Sequence, residues 1–189
     1  GVVGWEGGSG EGGWAGGRRA RRGGRTVAGD GRLDAVLAGI RGGILAGPRG
    51  AAGVGAEVSA MRGRWRAGRD RSDAAMIDLK QGRGALIDIE FVLQGMVLAH
   101  AAAYPTILDT TASSTLIDAL RTVGLFTQEQ ADTLHLAHAD LLQAGLTCTL
   151  DLRSRVASRT PELEASCAGV SRVVAELGFD FGAPAGDAR

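Results

Sequence analysis

Cysteine is nearly missing from this chain. Cys148 and Cys167 are the two among 189 residues, with no CxxC pair and no neighbouring ligand set, so neither a disulfide framework nor a zinc site is indicated. That usage points to a reducing, cytoplasmic compartment, and both thiols are expected as buried small apolar groups. Net charge is missing too: 21 basic against 21 acidic residues leave zero, and no bulk attraction toward nucleic acid or an anionic membrane. The longest apolar stretch, Val92 to Tyr104, is broken by Gln94 and His100 and falls short of the roughly 20 residues that a membrane span requires. No membrane partner is expected, and Gly1 opens no signal peptide. Ser113, Ser114 and Ser154 stand in no GxSxG context, and histidines without motif spacing supply no nucleophile and base. The length suits one ordinary domain, or a domain with a tail, and excludes a large multidomain enzyme.

Glycine, by contrast, is abundant and unevenly spread: 21 of the 31 fall in residues 1–63. Charge is polarised as well, with 13 basic and 6 acidic side chains in residues 1–71 against 8 and 15 in residues 72–189. Each glycine inside a helix costs about 1 kcal/mol relative to alanine, so a poorly ordered Gly/Arg-rich N-terminal segment is expected. Irregular glycine spacing and scarce proline exclude a collagen helix there. Trp5, Trp14 and the run Arg18, Arg19, Arg21, Arg22 and Arg25 admit an RNA-binding tail. The plainer reading is a solvated segment with no particular partner, and nucleic acid is not the expected one. Two weak helical patterns follow. One runs through Leu33, Val36, Leu37, Ile40, Ile44 and Leu45; the other, from Ala56 to Ala67, has Val58, Met61 and Trp65 on one side and Arg62, Arg64 and Arg66 largely elsewhere.

From Ser72 the pattern becomes that of an all-α domain. Met76 to Leu86 reads as a short extended piece followed by a tight turn at Gln81-Gly82-Arg83-Gly84. A helix is predicted from near Asp88, with Ile89, Val92, Leu93, Met96, Val97, His100 and Ala103 on its apolar side, acidic residues in its first turn and Pro105 as its stop. Another is predicted over Ser113 to Val123, ended by Gly124, with Leu116, Ile117, Leu120 and Val123 inward. Thr127 and Gln130 form a capping box for a longer helix reaching about Arg153, with Leu134, His138, Leu141 and Leu142 as its buried stripe. Thr160 caps and Pro161 opens a last helix, stopped by Gly178, and the tail from Phe179 to Arg189 is expected to fray. The implied organisation is 1–71, 72–178 and 179–189.

The chemistry-bearing string is Asp78-Leu79-Lys80-Gln81-Gly82-Arg83-Gly84-Ala85-Leu86-Ile87-Asp88-Ile89-Glu90-Phe91. Turn glycines, two cations and three carboxylates precede a helix, an arrangement that can hold phosphate on backbone amides with Lys80 or Arg83. Asp88 and Glu90 could orient those cations or touch a metal's water shell, and Gln94 shares a helix face with Glu90. Equally, the string reads as a turn, a cap and surface ion pairs. It is not a Walker loop, lacking the GxxxxGK[ST] order. His135 and His138, with Asp132 and Asp140 nearby, mimic part of a carboxylate-bridged metal site, but no matching ligands recur on other helices. No catalytic residue and no metal ligand is assigned.

The run DLKQGRGALIDIEFVLQ, residues 78–94, closely resembles the sequence that follows the nucleotidyltransferase domain of glutamine synthetase adenylyltransferase, the bifunctional glutamate-ammonia-ligase adenylyltransferase/deadenylyltransferase. A shorter form of the pattern occurs in the uridylyltransferase that modifies the nitrogen-signalling PII protein. Val27-Ala28-Gly29-Asp30, Ile40-Arg41, Ile44-Leu45, Pro48-Arg49, Glu57-Val58 and Met61-Arg62 resemble, in order and spacing, the end of the adenylyltransferase's nucleotidyltransferase domain. DIEF, with a chain end near Gly178 to Arg189, is similar to the adenylylating C-terminal half rather than the half that reads REIEF. Many early glycines stand where the family carries Glu, Arg or other helix formers, which implies a helical stretch corrupted by sequencing error or decay.

The resemblance covers roughly Trp14 to Leu177. It implies a helical bundle following a nucleotidyltransferase domain, in an enzyme that transfers AMP from ATP to a tyrosine of glutamine synthetase, with Mg²⁺, and reverses the transfer. The GxxxxG…DxD core that would hold magnesium is not found here, so the chain by itself is expected to be inactive and to bind neither ATP nor Mg²⁺ tightly. Lys80, Arg83, Asp88, Glu90 and Gln94 become candidate nucleotide or interface contacts at the junction. Glutamine synthetase is the implied partner and the PII protein a further one. Ala85 replaces the second glycine of the family's pair, and a positive φ there would cost alanine about 1 kcal/mol or more. The alternative is a non-catalytic helical module that binds glutamine synthetase or a nitrogen-signalling protein.

Overall fold

A computed structural model describes residues 51–182. The helical pattern at Leu33 to Leu45, the Trp5 to Arg25 run and the end of the tail, residues 183–189, lie outside the described residues. Within them the order is helix α1 (Ala51–Arg66), strand β1 (Met76–Asp78), helix α2 (Leu86–His100), a 3-10 turn (Pro105–Leu108), α3 (Ser113–Thr122), α4 (Gln128–Leu150), strand β2 (Val156–Ser158) and α5 (Pro161–Glu176). The domain is all-α apart from one two-stranded antiparallel ribbon, in which Met76, Ile77 and Asp78 face Ser158, Ala157 and Val156.

Helix α2 is the axis of the fold. Its sequence, LIDIEFVLQGMVLAH, is apolar on nearly every side, and a helix of that kind is stable only when surrounded. It touches α1, α3, α4 and α5, and the side chains of Leu79, Ile89, Val92 and Leu93 are fully buried. It begins at Leu86 rather than near Asp88, because the backbone has already turned at Ala85, whose φ of −86° and ψ of −175° are extended. It ends at His100, five residues before Pro105, which opens the 3-10 turn instead.

The other elements follow their local chemistry. Thr127 Oγ1 accepts from the Gln130 amide at 3.1 Å while the Thr127 amide donates to Gln130 Oε1 at 3.0 Å, the reciprocal capping box. Thr160 Oγ1 accepts from the Leu163 amide at 3.3 Å, with Pro161 in the first helical position. Gly124 and Gly178 adopt φ of +78° and +80° where α3 and α5 stop. Helix α4 ends at Leu150, short of Arg153, because Leu152 turns left-handed at φ 54° and returns the chain toward β2. Its buried stripe is Ala131, Leu134, Ala137, Leu141 and Cys148; Leu142, expected inside, is exposed, since it lies one position too far around the helix.

The expected fraying from Phe179 does not hold for its first four residues. Phe179 and Phe181 are buried, Phe181 meets Phe91 edge-on at 6.1 Å, and Phe179 lies against the bare backbone of Gly95. Two aromatic side chains remove enough apolar surface from water to offset the ordering of a short tail. Helix α1 packs on α2.

Candidate functional site

The turn between β1 and α2 is built around two buried carboxylates. Asp78 organises the turn itself: its Oδ1 accepts from the Lys80 and Gln81 amides at 3.0 and 2.9 Å, and its Oδ2 accepts from the Arg71 amide at 3.3 Å. Its own amide donates to Ser72 Oγ at 3.0 Å, and its carbonyl accepts from the Gly82 amide at 2.9 Å. The Leu79 amide donates to the Arg155 carbonyl at 3.0 Å, which fastens the turn to the start of β2. A short carboxylate beside two following amides makes an Asx-type turn, so the aspartate of DLK is structural in its geometry.

Glycine is required twice. A Cβ at Gly82 would lie 2.6 Å from the Asp78 carbonyl oxygen; one at Gly84, where φ is +72°, would lie 1.9 Å from the carbonyl oxygen of Cys167 on α5. The turn therefore seats directly on the α5 backbone. Ala85, in place of a family glycine, carries no strain, because the positive φ falls on Gly84.

Asp88 is the second carboxylate and the more heavily used. Its Oδ1 accepts from Arg62 Nε at 2.5 Å and Arg66 Nη2 at 2.8 Å, and its Oδ2 from Arg66 Nη2 at 2.6 Å and the Gly84 amide at 2.7 Å. Arg62 Nη2 goes on to the Gln81 carbonyl at 2.7 Å, and Arg66 Nη1 to the carbonyls of Phe181 and Gly182 at 2.8 and 3.0 Å. One carboxylate thus joins α1, the turn, α2 and the C-terminal segment. Arg62 and Arg66 are 0% and 4% exposed, so the cluster holds two cations on one anion out of water. Burial pushes the Arg62 guanidinium below its usual range, with Asp88 opposing that shift. Arg62 Nη1 and Arg66 Nε have no partner among the described residues.

The five candidate residues are not brought together. Arg83 and Asp88 line one small hollow with Arg66, Ser171 and Phe181. Lys80 lies in a separate, open depression with Arg69, Arg71, Asp78, Gln81 and Arg155. Glu90 is half-buried and its charge reaches His138 on α4, where burial is the larger influence and lowers the imidazole's pKa. Gln94, also half-buried, has a buried Oε1 without a partner among the described residues. The cations that Asp88 orients are therefore Arg62 and Arg66, not Lys80 and Arg83. Their spacing of four on one helix was the available signal, obscured because Trp65 and Met61 mark the apolar side of the same helix.

The described residues do not fit a magnesium site. Among them no group of three or more His, Cys, Asp or Glu side chains is placed to hold a metal ion, and the carboxylates of Asp78 and Asp88 already accept from protein donors. His135 Nε2 meets Asp118 Oδ1 at 3.1 Å, and Ser166 Oγ donates to Asp140 Oδ2 at 2.6 Å, so these groups tie helices together. Cys148 and Cys167 are buried free thiols; burial pushes the Cys167 thiol up to about 11. No described helix is long and apolar enough to cross a membrane.

The helical body with its DLK…DIEF junction is similar to parts of enzymes described as uridylyltransferases and adenylyltransferases. Residues 54–185 match the family model described as GlnD PII-uridylyltransferase. The chain is 45% identical over 157 residues to a bifunctional glutamine synthetase adenylyltransferase/adenylyl-removing enzyme of Stenotrophomonas maltophilia (strain K279a), covering 82% of this chain and 17% of that protein. It is 47% identical over 140 residues to the protein of the same description from Xanthomonas axonopodis pv. citri (strain 306), covering 74% and 15%. A Nitrosococcus oceani counterpart is 39% identical over 110 residues, covering 58% and 11%. The chain belongs to the glutamine synthetase adenylyltransferase family, and it spans only 17% of the length of the first of these relatives.

Proposed function

We propose that this chain is the C-terminal helical part of an enzyme that transfers AMP from ATP to a tyrosine of glutamine synthetase and reverses the transfer, in the cytoplasm. In this reading residues 1–71 correspond to the end of a nucleotidyltransferase domain, 72–178 to the helical accessory domain and 179–189 to a tail. Mg²⁺ and ATP belong to the complete enzyme, glutamine synthetase is its substrate and the PII protein a further partner. The accessory body holds the junction in shape while Lys80 and Arg83 at its surface, and Glu90 and Gln94 beside α4, supply contacts to the nucleotide or to the neighbouring domain. The observation that carries this reading is the spending of both junction carboxylates on internal structure: Asp78 on its turn, Asp88 on two buried arginines. Groups so engaged position a scaffold and are not free to act on phosphate or metal.

The test is direct. The chain alone, with glutamine synthetase, ATP and Mg²⁺, is expected to incorporate no AMP, whereas the chain fused behind the remaining part of the Stenotrophomonas maltophilia protein restores incorporation. Incorporation by the isolated chain would overturn the scaffold reading.

One observation favours a second reading. Leu136, Leu142, Leu146 and Leu150 share the outer side of α4 and are exposed, Leu150 at 84%. Apolar side chains gathered on one side suit a surface that is covered by another protein. On that reading the chain is a non-catalytic module binding glutamine synthetase or a nitrogen-signalling protein. Calorimetric titration with glutamine synthetase distinguishes the two: binding abolished by Leu146→Glu and Leu150→Glu supports the module, and no heat of binding removes it.

A further inference from the structure

Helix α4 packs on α2, α3, α5 and β2 with one side and leaves the other bare. The bare side carries Leu136, Ala139, Gln143, Leu146 and Leu150, spaced alternately by three and four residues, with Leu142 on its flank. That spacing is the a and d seam of a coiled coil, and no charged residue stands in it. A solvated helix face normally carries charge. Even the threonine hydroxyls beside the seam turn back onto the helix: Thr147 Oγ1 donates to the Gln143 carbonyl at 3.1 Å and Thr149 Oγ1 to the Gly145 carbonyl at 2.9 Å. Leu152, 96% exposed just past the helix end, extends the apolar surface.

This side of α4 is complementary to itself. The seam is nearly symmetric about Gln143, with Leu136 and Leu150 seven residues to either side and Ala139 and Leu146 four and three away. Run antiparallel to a copy of itself, it sets Leu136 of each chain against Leu150 of the other and Gln143 against its counterpart, where two amides can exchange hydrogen bonds. A single polar residue in such a seam fixes the register. The ends are complementary as well. Glu129 and Asp132 make the start of α4 acidic, whereas Arg153 and Arg155 outnumber Asp151 beyond its end. Antiparallel pairing lays unlike ends together, and parallel pairing would stack like on like. The area is also sufficient: the bare parts of Leu136, Leu142, Leu146, Leu150 and Leu152 together exceed three fully exposed leucines. That is on the order of 600 Å², the top of the range for patches on monomers, and with its flanks it approaches the roughly 800 Å² per partner of a stable pair.

We propose that two copies of this chain associate through the outer side of α4, antiparallel and related by a twofold axis near Gln143. Each copy offers the same patch and uses it up in the pair, so the assembly closes at two. The inference rests on neither functional reading. A dimer occupies the face that a glutamine synthetase-binding module would need, and a monomer leaves both functional readings standing.

The experiment is analytical ultracentrifugation of the full chain across a series of concentrations, joined to disulfide mapping. The average mass is expected to rise with concentration and level off at twice that of the monomer. Leu146→Glu with Leu150→Glu is expected to weaken the dimer at least about tenfold, and since both side chains are exposed, circular dichroism should show the fold intact. Gln143→Leu acts in the opposite direction, tightening the pair while the mass still stops at two copies, a gain that loss of folding does not imitate. Orientation is read in a Cys148→Ala background. Leu136→Cys and Leu150→Cys chains, mixed and oxidised, should cross-link to each other and neither to itself, because like positions in the antiparallel pair stand about 20 Å apart along the helix. A monomer at every concentration, growth past the dimer, a dimer unmoved by Leu146→Glu with Leu150→Glu, or self-cross-linking of Leu150→Cys overturns the proposal.

Discussion

Removing the charge of Asp88 should be the most damaging conservative substitution in the described body. Asp88→Asn keeps the volume of the side chain but leaves Arg62 and Arg66, 0% and 4% exposed, as two buried cations without the carboxylate they are hydrogen-bonded to. Two contacts, Arg62 Nε at 2.5 Å and Arg66 Nη2 at 2.6 Å, lose their charge assistance, and the Asn amide can no longer accept from the Gly84 amide and both arginines together. Breaking a buried pair by removing one partner costs about 3–5 kcal/mol, against a total stability of about 5–15 kcal/mol for an ordinary domain. Arg62 Nη1 and Arg66 Nε already lack partners, so little slack remains for the guanidiniums to find new acceptors. Urea unfolding followed by circular dichroism reads the loss as a lower midpoint at unchanged slope. A double-mutant cycle with Arg66→Met isolates the electrostatic part: with Arg66→Met already in place, the same Asp88→Asn should cost less by about 1–3 kcal/mol. A loss below about 1 kcal/mol, or additivity in the cycle, would refute the view that this cluster is sealed from water.

Gly84 and Ala85 are each expected to resist exchange for the other residue type. Gly84→Ala should cost at least about 2 kcal/mol, since it forces a positive φ on alanine and drives a methyl into the Cys167 carbonyl; Ala85→Gly should also destabilise, by about 1 kcal/mol, because extended backbone gains nothing from glycine. A stabilised Ala85→Gly variant in thermal unfolding would show that the junction is strained after all. Burial lowers the pKa values of His100 and His138 below the ordinary 6.5. The unfolded chain then binds more protons, so stability is full above pH 6.5 and falls as pH drops below it. Replacing both histidines with glutamine should flatten the profile between about pH 7 and 5, and an unchanged profile counts against the assignment. The Cys167 thiol, raised from 9.0 to about 11, holds roughly 100-fold less thiolate at pH 8 than an unperturbed thiol of that reference value. Alkylation of a Cys148→Ala protein should be correspondingly slow until urea unfolds it, and rapid labelling of the native chain would contradict the burial.

Much of the helical architecture was legible from local rules. Thr127 with Gln130, Thr160 with Pro161, Gly124 and Gly178 act within a few residues, and each does in the folded chain what its chemistry allows. The strand and turn before α2 were legible for the same reason. The stop after α4 was not, because Leu152 accepts a left-handed conformation that its residue type disfavours and only the return to β2 imposes. Leu142 was misplaced and Phe179 and Phe181 were released too early, since a one-dimensional pattern does not say which neighbour arrives to cover a side chain.

The site divides along the same line. Residue identities alone determined that Asp78 to Phe91 is where turn glycines, cations and carboxylates concentrate, and that the segment belongs with DLK…DIEF sequences. Only the tertiary structure decided how those charges are distributed. It covered Asp88 with arginines 22 and 26 residues earlier in the chain, turned Arg83 toward one hollow and left Lys80 in another with Arg155. Charge pairing depends on distance and desolvation, and neither exists until separate segments have packed.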